Sequence, residues 1–239
     1  MSPRRLLILI PAYNEAGSLA AVIGEVRQYA EDADIVIVDD ASTDETWDVV
    51  ASTGARCIRL SQRLGTGAAV RTGLRYALMR GYETVVRLDG DGQHPPGVID
   101  QLLEPLNRGS ADVVVGSRYV GEAMTSVPWR RRVGHRTLGV VLSMLTGQRV
   151  TDPTSGLWAF GPHALRLLAE HHPSGYPEPE LVLFLSRNAM RVLELPVTMR
   201  SRIAGRSSLT AQRTGAAMAR LLLLLVVVPL RSAIGGSDD

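Results

Sequence analysis

A chain of 239 residues with 45% hydrophobic and 21% charged residues has the composition of a globular domain, which excludes a disordered tail and a polytopic membrane protein. Its formal net charge is only +2 and aromatics make up 5%, so no nucleic-acid partner is expected. Cys57 is the single cysteine, which excludes an internal disulfide and a Cys-based zinc site and fits a reducing, cytoplasmic setting.

In chain order, Leu6–Ile10 reads as a fully buried strand that stops at Pro11, too short for a signal-peptide core, and no export is expected. Pro11, Ala12, Tyr13, Asn14 and Glu15 form the turn into a helix over 16–30. Asp34–Asp40 is a second buried strand ending in acids, and Ser42 to Glu45 spell a capping box for a helix over 44–52. A third strand over 55–60 precedes Gly65-Thr66-Gly67 and a helix that Gly81 stops. Gly65 to Val70 is half of a dinucleotide fingerprint, but the third glycine is Val70 and the unit is the third, so a redox cofactor is rejected.

The next strand, over 83–88, ends in Asp89-Gly90-Asp91-Gly92-Gln93-His94. Side chains two apart on an extended backbone point the same way. Asp89 and Asp91, with the Gln93 amide next in phase, therefore make an all-oxygen set suited to Mg²⁺ or Mn²⁺; the competing reading is a solvated Asp-Gly turn. His94 reads as a turn residue. A helix over 96–107 and a strand over 112–117 follow, and strands alternating with helices imply a parallel sheet. Ligands of such sheets sit beyond the carboxyl ends of the strands, where Tyr13, Glu15, Asp39, Asp40, Asp89, Asp91, Ser117 and Arg118 all fall.

Beyond Tyr119 the alternation fades. Helices over 129–146, 162–170 and from Pro177, with short strands over 157–160 and 192–197, are expected to lie over that rim. Arg130, Arg131, Arg132, Arg136, Arg149 and the arginines from Arg200 to Arg220 suggest a local anionic partner. Leu221–Leu230 is apolar on every side, yet at ~1.5 Å per residue its helix falls short of a ~30 Å hydrocarbon core. A helix docked on the domain or on a small membrane-protein partner, and an interfacial anchor, both remain open. The expected division is a catalytic domain over 1–208 and an apolar helix with a polar tail over 209–239.

Ile10 to Glu15, Val38 to Asp44, the glycine stretch Gly65 to Gly73, Leu88 to His94 and Gly116 to Tyr119, in this order, resemble glycosyltransferase family 2. Asp152 to Gly156, Tyr176 to Glu180 and Arg202 to Ser208 look like the branch containing dolichyl-phosphate mannosyltransferase. The resemblance implies an α/β fold of the GT-A type, a Rossmann-like, mostly parallel central sheet flanked by helices. It implies a metal-dependent, inverting transfer of a hexose from a nucleoside-diphosphate sugar to a polyprenyl phosphate, at the inner face of the cell membrane. It assigns Pro11, Ala12, Tyr13, Glu15 and Asp39 to the nucleotide, with Gly67 lining the donor site, and Asp89, Asp91 and Gln93 to the metal. Arg118, Arg202 and Ser207, with Arg131 on a looser match, are assigned to the acceptor phosphate.

A phosphate nucleophile is already anionic and needs no general base. A saccharide hydroxyl would need one, and Asp152 and Glu180 are the candidates. A non-catalytic nucleotide-sugar-binding subunit is the reading from another class. Ser208 stands where the branch carries Lys, which bears on the acceptor more than on the fold.

Overall fold

The computed structural model describes residues 5–120, 129–171 and 177–204. Ser207, the apolar run Leu221–Leu230 and the expected boundary between 208 and 209 lie outside the described residues, as does the side chain of Arg131.

The elements run β1 (Leu6–Ala12), α1 (Leu19–Tyr29), β2 (Asp34–Asp39), α2 (Thr46–Thr53), β3 (Arg56–Arg59), α3 (Thr66–Met79) and β4 (Thr84–Arg87). After a 3₁₀ turn at Pro96–Val98 come α4 (Ile99–Asn107), β5 (Val113–Ser117), α5 (Trp129–Thr146), β6 (Trp158–Phe160), α6 (Pro162–His171), α7 (Pro177–Arg187) and β7 (Val192–Pro196). The strands form one sheet in the order β3-β2-β1-β4-β6-β5-β7. β1 pairs in parallel with β2 and β4, β2 with β3, and β5 with β7. The expected mostly parallel α/β sheet is present.

Its core follows from strands buried on both faces, which need no polar alternation. Ile8, Ile10, Ile37, Val86, Val114 and Ala159 join Leu19, Val22, Ile23 and Val26 of α1 and Ile99, Leu102 and Leu106 of α4 in one apolar cluster. Strand residues one place along point the other way. On that face α3 packs on β1 so closely that a methyl at Gly73 would lie 2.1 Å from Leu9 Cδ1. Each fully buried Leu, Ile or Val contributes about 1.5–3 kcal/mol, so the rim residues stand on a stiff platform.

Two expectations are corrected. The second half does not simply lie over the rim: β6 enters the sheet between β4 and β5, antiparallel to both, and β7 forms an edge. A three-residue strand buried along its whole length carries no signal of its direction. Nor does Ser42 cap α2, whose first residue follows Glu45 with no side-chain cap. Ser42 Oγ instead accepts the Asn14 N–H at 2.9 Å, and Asp44 Oδ1 accepts the Thr46 N–H at 3.0 Å. Ser42 thus joins two loops, and Asp44 serves the start of the helix in its place.

Trp158 anchors the inserted strand. It is fully buried, its ring lies 5.9 Å from that of Phe160, and its Nε1 donates to Ser155 O at 2.6 Å. Trp158→Ala should lower the urea-unfolding free energy by about 3–5 kcal/mol. A loss under about 1 kcal/mol, within the range of a surface change, would contradict this anchoring role.

Candidate active site

The carboxyl ends of β1, β2 and β4 bring the site together. Backbone strain and hydrogen bonds fix the first two loops against each other. Asn14 and Ala41 hold φ of 55° and 57°, a left-handed conformation that costs a residue with a side chain about 1–2 kcal/mol. Asn14 repays it by accepting the Thr43 N–H on Oδ1 at 2.8 Å, while Glu15 N donates to Thr46 Oγ1 at 2.9 Å.

Pro11 and Ala12 are the buried last residues of β1, and Asp39 is the last of β2. Asp39 is fully buried; its Oδ1 accepts the Ser42 N–H at 2.9 Å and its Oδ2 lies 3.2 Å from Arg59 Nε. Oδ2 takes no hydrogen bond from the described residues, which leaves a buried acceptor facing this end of the sheet. The Arg63 guanidinium lies 3.8 Å over the Tyr13 ring. Asp40 has turned inward, accepting the Leu64 N–H at 2.7 Å and the Gly65 N–H at 2.8 Å. The chain's own carboxylate thus takes the Gly65 amide ahead of α3, and Gly67 is buried one place inside the helix.

β4 ends at Arg87, so Asp89 and Asp91 lie on the turn beyond it and not in an extended run. Asp91 Oδ1 accepts the Gln93 N–H at 3.0 Å and Oδ2 receives Arg202 Nη2 at 2.8 Å. Arg202 Nη1 lies 3.7 Å from Glu15 Oε1, and Nη2 reaches Gln93 Oε1 at 3.4 Å. Arg202 arrives because the segment after β7 is zipped to this turn: Arg200 N donates to Gln93 O at 2.9 Å and Ile203 N to Asp91 O at 3.0 Å. Ser18 Oγ ties the loop after β1 to the same turn through Gly90 O at 2.8 Å. Glu15, Asp89, Asp91, Gln93 and Arg202 are therefore one cluster.

Charge decides its state. Burial pushes the Asp91 carboxyl up, and the neighbouring Asp89 charge adds to the rise. Burial acts on Asp89 in the same sense, but Arg87, His94 and Arg202 outweigh it and hold Asp89 below the usual carboxylate range. Arg87 Nη2 lies 3.3 Å from Asp89 Oδ1, and His94 Nδ1 accepts the Asp89 N–H at 2.9 Å. Burial pushes the His94 pKa down against the pull of Asp89 and Asp91, toward the neutral ring that this accepting role needs.

Sequence reasoning passed over Arg87 and Ser18. The signal for Arg87 was an arginine inside the apolar run Val85 to Leu88, which has to find an anion. Ser18 had no such signal.

Arg118, assigned to the acceptor phosphate, meets the candidate base Asp152, whereas Arg202 stands apart from them at Asp91. Arg118 grips Asp152 with Nε–Oδ2 and Nη2–Oδ1 bonds of 2.7 Å each, and its backbone N–H adds a third at 3.0 Å. Burial opposes the charge on Arg118, yet its Asp152 bonds raise its pKa further. Glu194 of β7 in turn accepts the Thr151 and Asp152 N–H groups at 2.8 and 3.2 Å. Asp152 is thus fully buried with both oxygens committed to Arg118. Arg131 falls in the first turn of α5, and Glu180 stands partly buried in the first turn of α7, on a helix and not at a strand end.

A divalent cation fits the donor set on one test. Asp89 and Asp91 offer only oxygen, and their mutual repulsion is relieved by a guanidinium at Asp91, where a cation is plainly required. Among the described residues no three His, Cys, Asp or Glu side chains converge on one point. Two carboxylates completed by phosphate and water oxygens is the pattern of Mg²⁺-like ions.

Glu15 offers a pH readout. Burial first, then Asp91 and Asp89, push its carboxyl up to about 7 against opposing contributions from Ser18 and Arg202. In the unfolded chain it titrates near 4.5, so between these values only the folded protein holds the proton. Its stabilising contribution is therefore full below 4.5 and lost as pH rises through 7. In urea titrations without metal, wild type should lose stability relative to Glu15→Gln from pH 4.5 to 7.5; a relative gain would refute the assignment.

Comparisons with known proteins agree with this architecture. A family model, Glycosyl transferase family 2, matches residues 7–167. Undecaprenyl-phosphate mannosyltransferase of Micrococcus luteus is 32% identical over 223 residues, covering 90% of this chain and 91% of the relative. UDP-N-acetylglucosamine--dolichyl-phosphate N-acetylglucosaminyltransferase of Methanococcus voltae is 30% identical, covering 82% of this chain and 86% of the relative. Glucosyl-3-phosphoglycerate synthase of Mycobacterium tuberculosis, solved with Mn²⁺, UDP and phosphoglyceric acid, superposes with a TM-score of 0.70 at 21% identity, covering 100% of this chain and 81% of that one. The chain belongs to glycosyltransferase family 2 and is a glycosyltransferase of the GT-A type.

Proposed function

We propose that the protein transfers a hexose from a nucleoside-diphosphate sugar to a polyprenyl phosphate, with inversion, at the cytoplasmic face of the membrane. The observation that carries this reading is Arg202. Its guanidinium, a group whose fork suits phosphate, is held 2.8 Å from Asp91, within the carboxylate cluster where a donor diphosphate and its metal would meet. An acceptor phosphate held there would stand next to the bond to be broken. The relatives support the acceptor, since one is named for transfer to undecaprenyl phosphate and the other to dolichyl phosphate.

Asp89 and Asp91 would hold a divalent cation, which supplies charge neutralisation to the departing diphosphate. The Mn²⁺ and UDP in the solved synthase are consistent with that group and with a base pocket lined by Tyr13 and Asp39. Asp39 Oδ2, buried and without a hydrogen bond, suits a base N–H or a ribose hydroxyl. A phosphate oxygen of the acceptor attacks the anomeric carbon, the carbon–oxygen bond to the diphosphate breaks, and the electron pair leaves on the nucleotide. Arg202 orients the acceptor and screens two anions from each other. Arg118 contributes less directly, because Asp152 already occupies its fork.

A hydroxyl acceptor would need a free base. Asp152, saturated by Arg118 and fully buried, is not one in this structure. The two relatives carry UDP-N-acetylglucosamine and mannose in their names, so the donor is a nucleotide hexose of a base left to experiment. The apolar segment Leu221–Leu230 is proposed to hold the enzyme at the lipid surface or on a membrane partner. No helix among the described residues is long and apolar enough to cross a membrane.

The test is transfer of labelled sugar from a panel of UDP- and GDP-sugars to a short polyprenyl phosphate, with Mn²⁺ or with chelator. Metal-dependent label in the lipid phase, reduced on the order of 10²-fold or more in Asp91→Ala, is expected. Label only in water or on saccharides would sink the lipid acceptor. Arg202→Met should bind Mn²⁺ more tightly without donor, since the competing guanidinium is gone, yet transfer about 10²-fold more slowly. Unchanged transfer in that variant would remove Arg202 from the acceptor site.

A further inference from the structure

Gly156 closes the turn that leads from Asp152 into β6, and a side chain there has no room. A methyl carbon at Gly156 would lie 2.1 Å from Asp89 Oδ2, 2.7 Å from Asp89 Cγ and 2.8 Å from Asp89 Oδ1. All three obstructing atoms belong to one carboxylate. Asp89 therefore rests its carboxylate on bare glycine backbone, in the volume that any other residue would fill.

The sheet explains the meeting. β4 and β6 pair with Val85 opposite Phe160, Val86 opposite Ala159 and Arg87 opposite Trp158. The pairing stops there, and the chain leaving β4 and the chain entering β6 are brought to the same end of the sheet, where Asp89 and Gly156 meet. The absence of a side chain at Gly156 leaves the volume that the Asp89 carboxylate takes. Only an antiparallel β6 delivers its entrance to the carboxyl end of β4.

Two further groups define the seat. Arg87, only 1% exposed, brings Nη2 to 3.3 Å from Oδ1, and His94 places Nε2 3.9 Å from Oδ2 while its Nδ1 holds the Asp89 N–H. Asp91 is held differently, by a turn amide and by Arg202 of the segment after β7.

We infer that Gly156 is a positioning residue of this enzyme: its missing side chain is the seat of the Asp89 carboxylate, whose rotation Arg87 and His94 fix. The catalytic consequence rests on the proposed metal-holding role of Asp89, whereas the seat itself does not. With Ala at 156 the carboxylate must swing out, carrying an oxygen ligand away from the position that Asp91 shares.

A double-mutant cycle read by urea unfolding, without metal or donor, tests the seat. Gly156→Ala should lower the unfolding midpoint in the wild-type chain and cost less than a quarter as much in Asp89→Ala, where the seat is vacant. If Gly156→Ala alone does not fold, the double variant should. Equal losses in both backgrounds overturn the seat, because the obstruction is then not Asp89.

Mn²⁺ binding, followed by the electron paramagnetic resonance of the free ion, tests the positioning. Gly156→Ala should bind at least tenfold more weakly than wild type. Unchanged affinity overturns the positioning role whatever the cycle gives. Wild type that binds no Mn²⁺ even with nucleoside diphosphate present would instead strike down the proposed function, with the cycle still deciding the seat.

Discussion

Two carboxylates one residue apart at the end of a buried strand repel each other, and the fold is arranged so that this repulsion is tolerable. The apolar run through Val85 and Val86 drives the chain into the sheet, and Asp89 and Asp91 are what that run delivers to its rim. Each acid has its own answer. Asp89 has a buried guanidinium from its own strand, and Asp91 has a half-buried one from a segment more than a hundred residues later. Unpaired buried charge is among the costliest errors a fold can make, so both arginines bear on stability as well as on chemistry.

Arg118 and Asp152 follow a similar rule by other means. Arg118 leaves the end of β5, Asp152 follows α5, and Glu194 lies on β7, yet they join in one line of hydrogen bonds. That line binds the inserted strand to the sheet edge. Removing one partner would leave a buried anion, so a loss of activity in Arg118 variants needs a parallel stability measurement before it is read as lost acceptor binding.

Local signals made most of the fold legible. The β-branched runs over 34–39 and 84–87 have the period of strands buried on both faces, and the acids that close them marked the rim correctly. The helix over 129–146 falls on its expected residues. Pairings between distant loops were hidden. Ser42 had the spacing of a cap and became the acceptor for Asn14, 28 residues away, because the strained turn after β1 needed that bond more than the helix did. The direction of β6 and the commitment of Asp152 to Arg118 depend on contacts 34 residues apart or more, which spacing cannot encode. Gly156 was visible only as part of a Thr-Ser-Gly run; that its value lies in an empty volume is a property of the neighbour across the strand.

Arg202 carries one more consequence. A guanidinium already resting against Asp91 and Glu15 means the domain can reach its native form with its acidic cluster compensated by its own chain. Domains whose ligands stay uncompensated until an ion arrives fold only in its presence. This one is spared that dependence. On the proposed metal site, an entering cation would trade places with a side chain and would not rescue an unstable hole, so the folded domain would persist between encounters with its substrates.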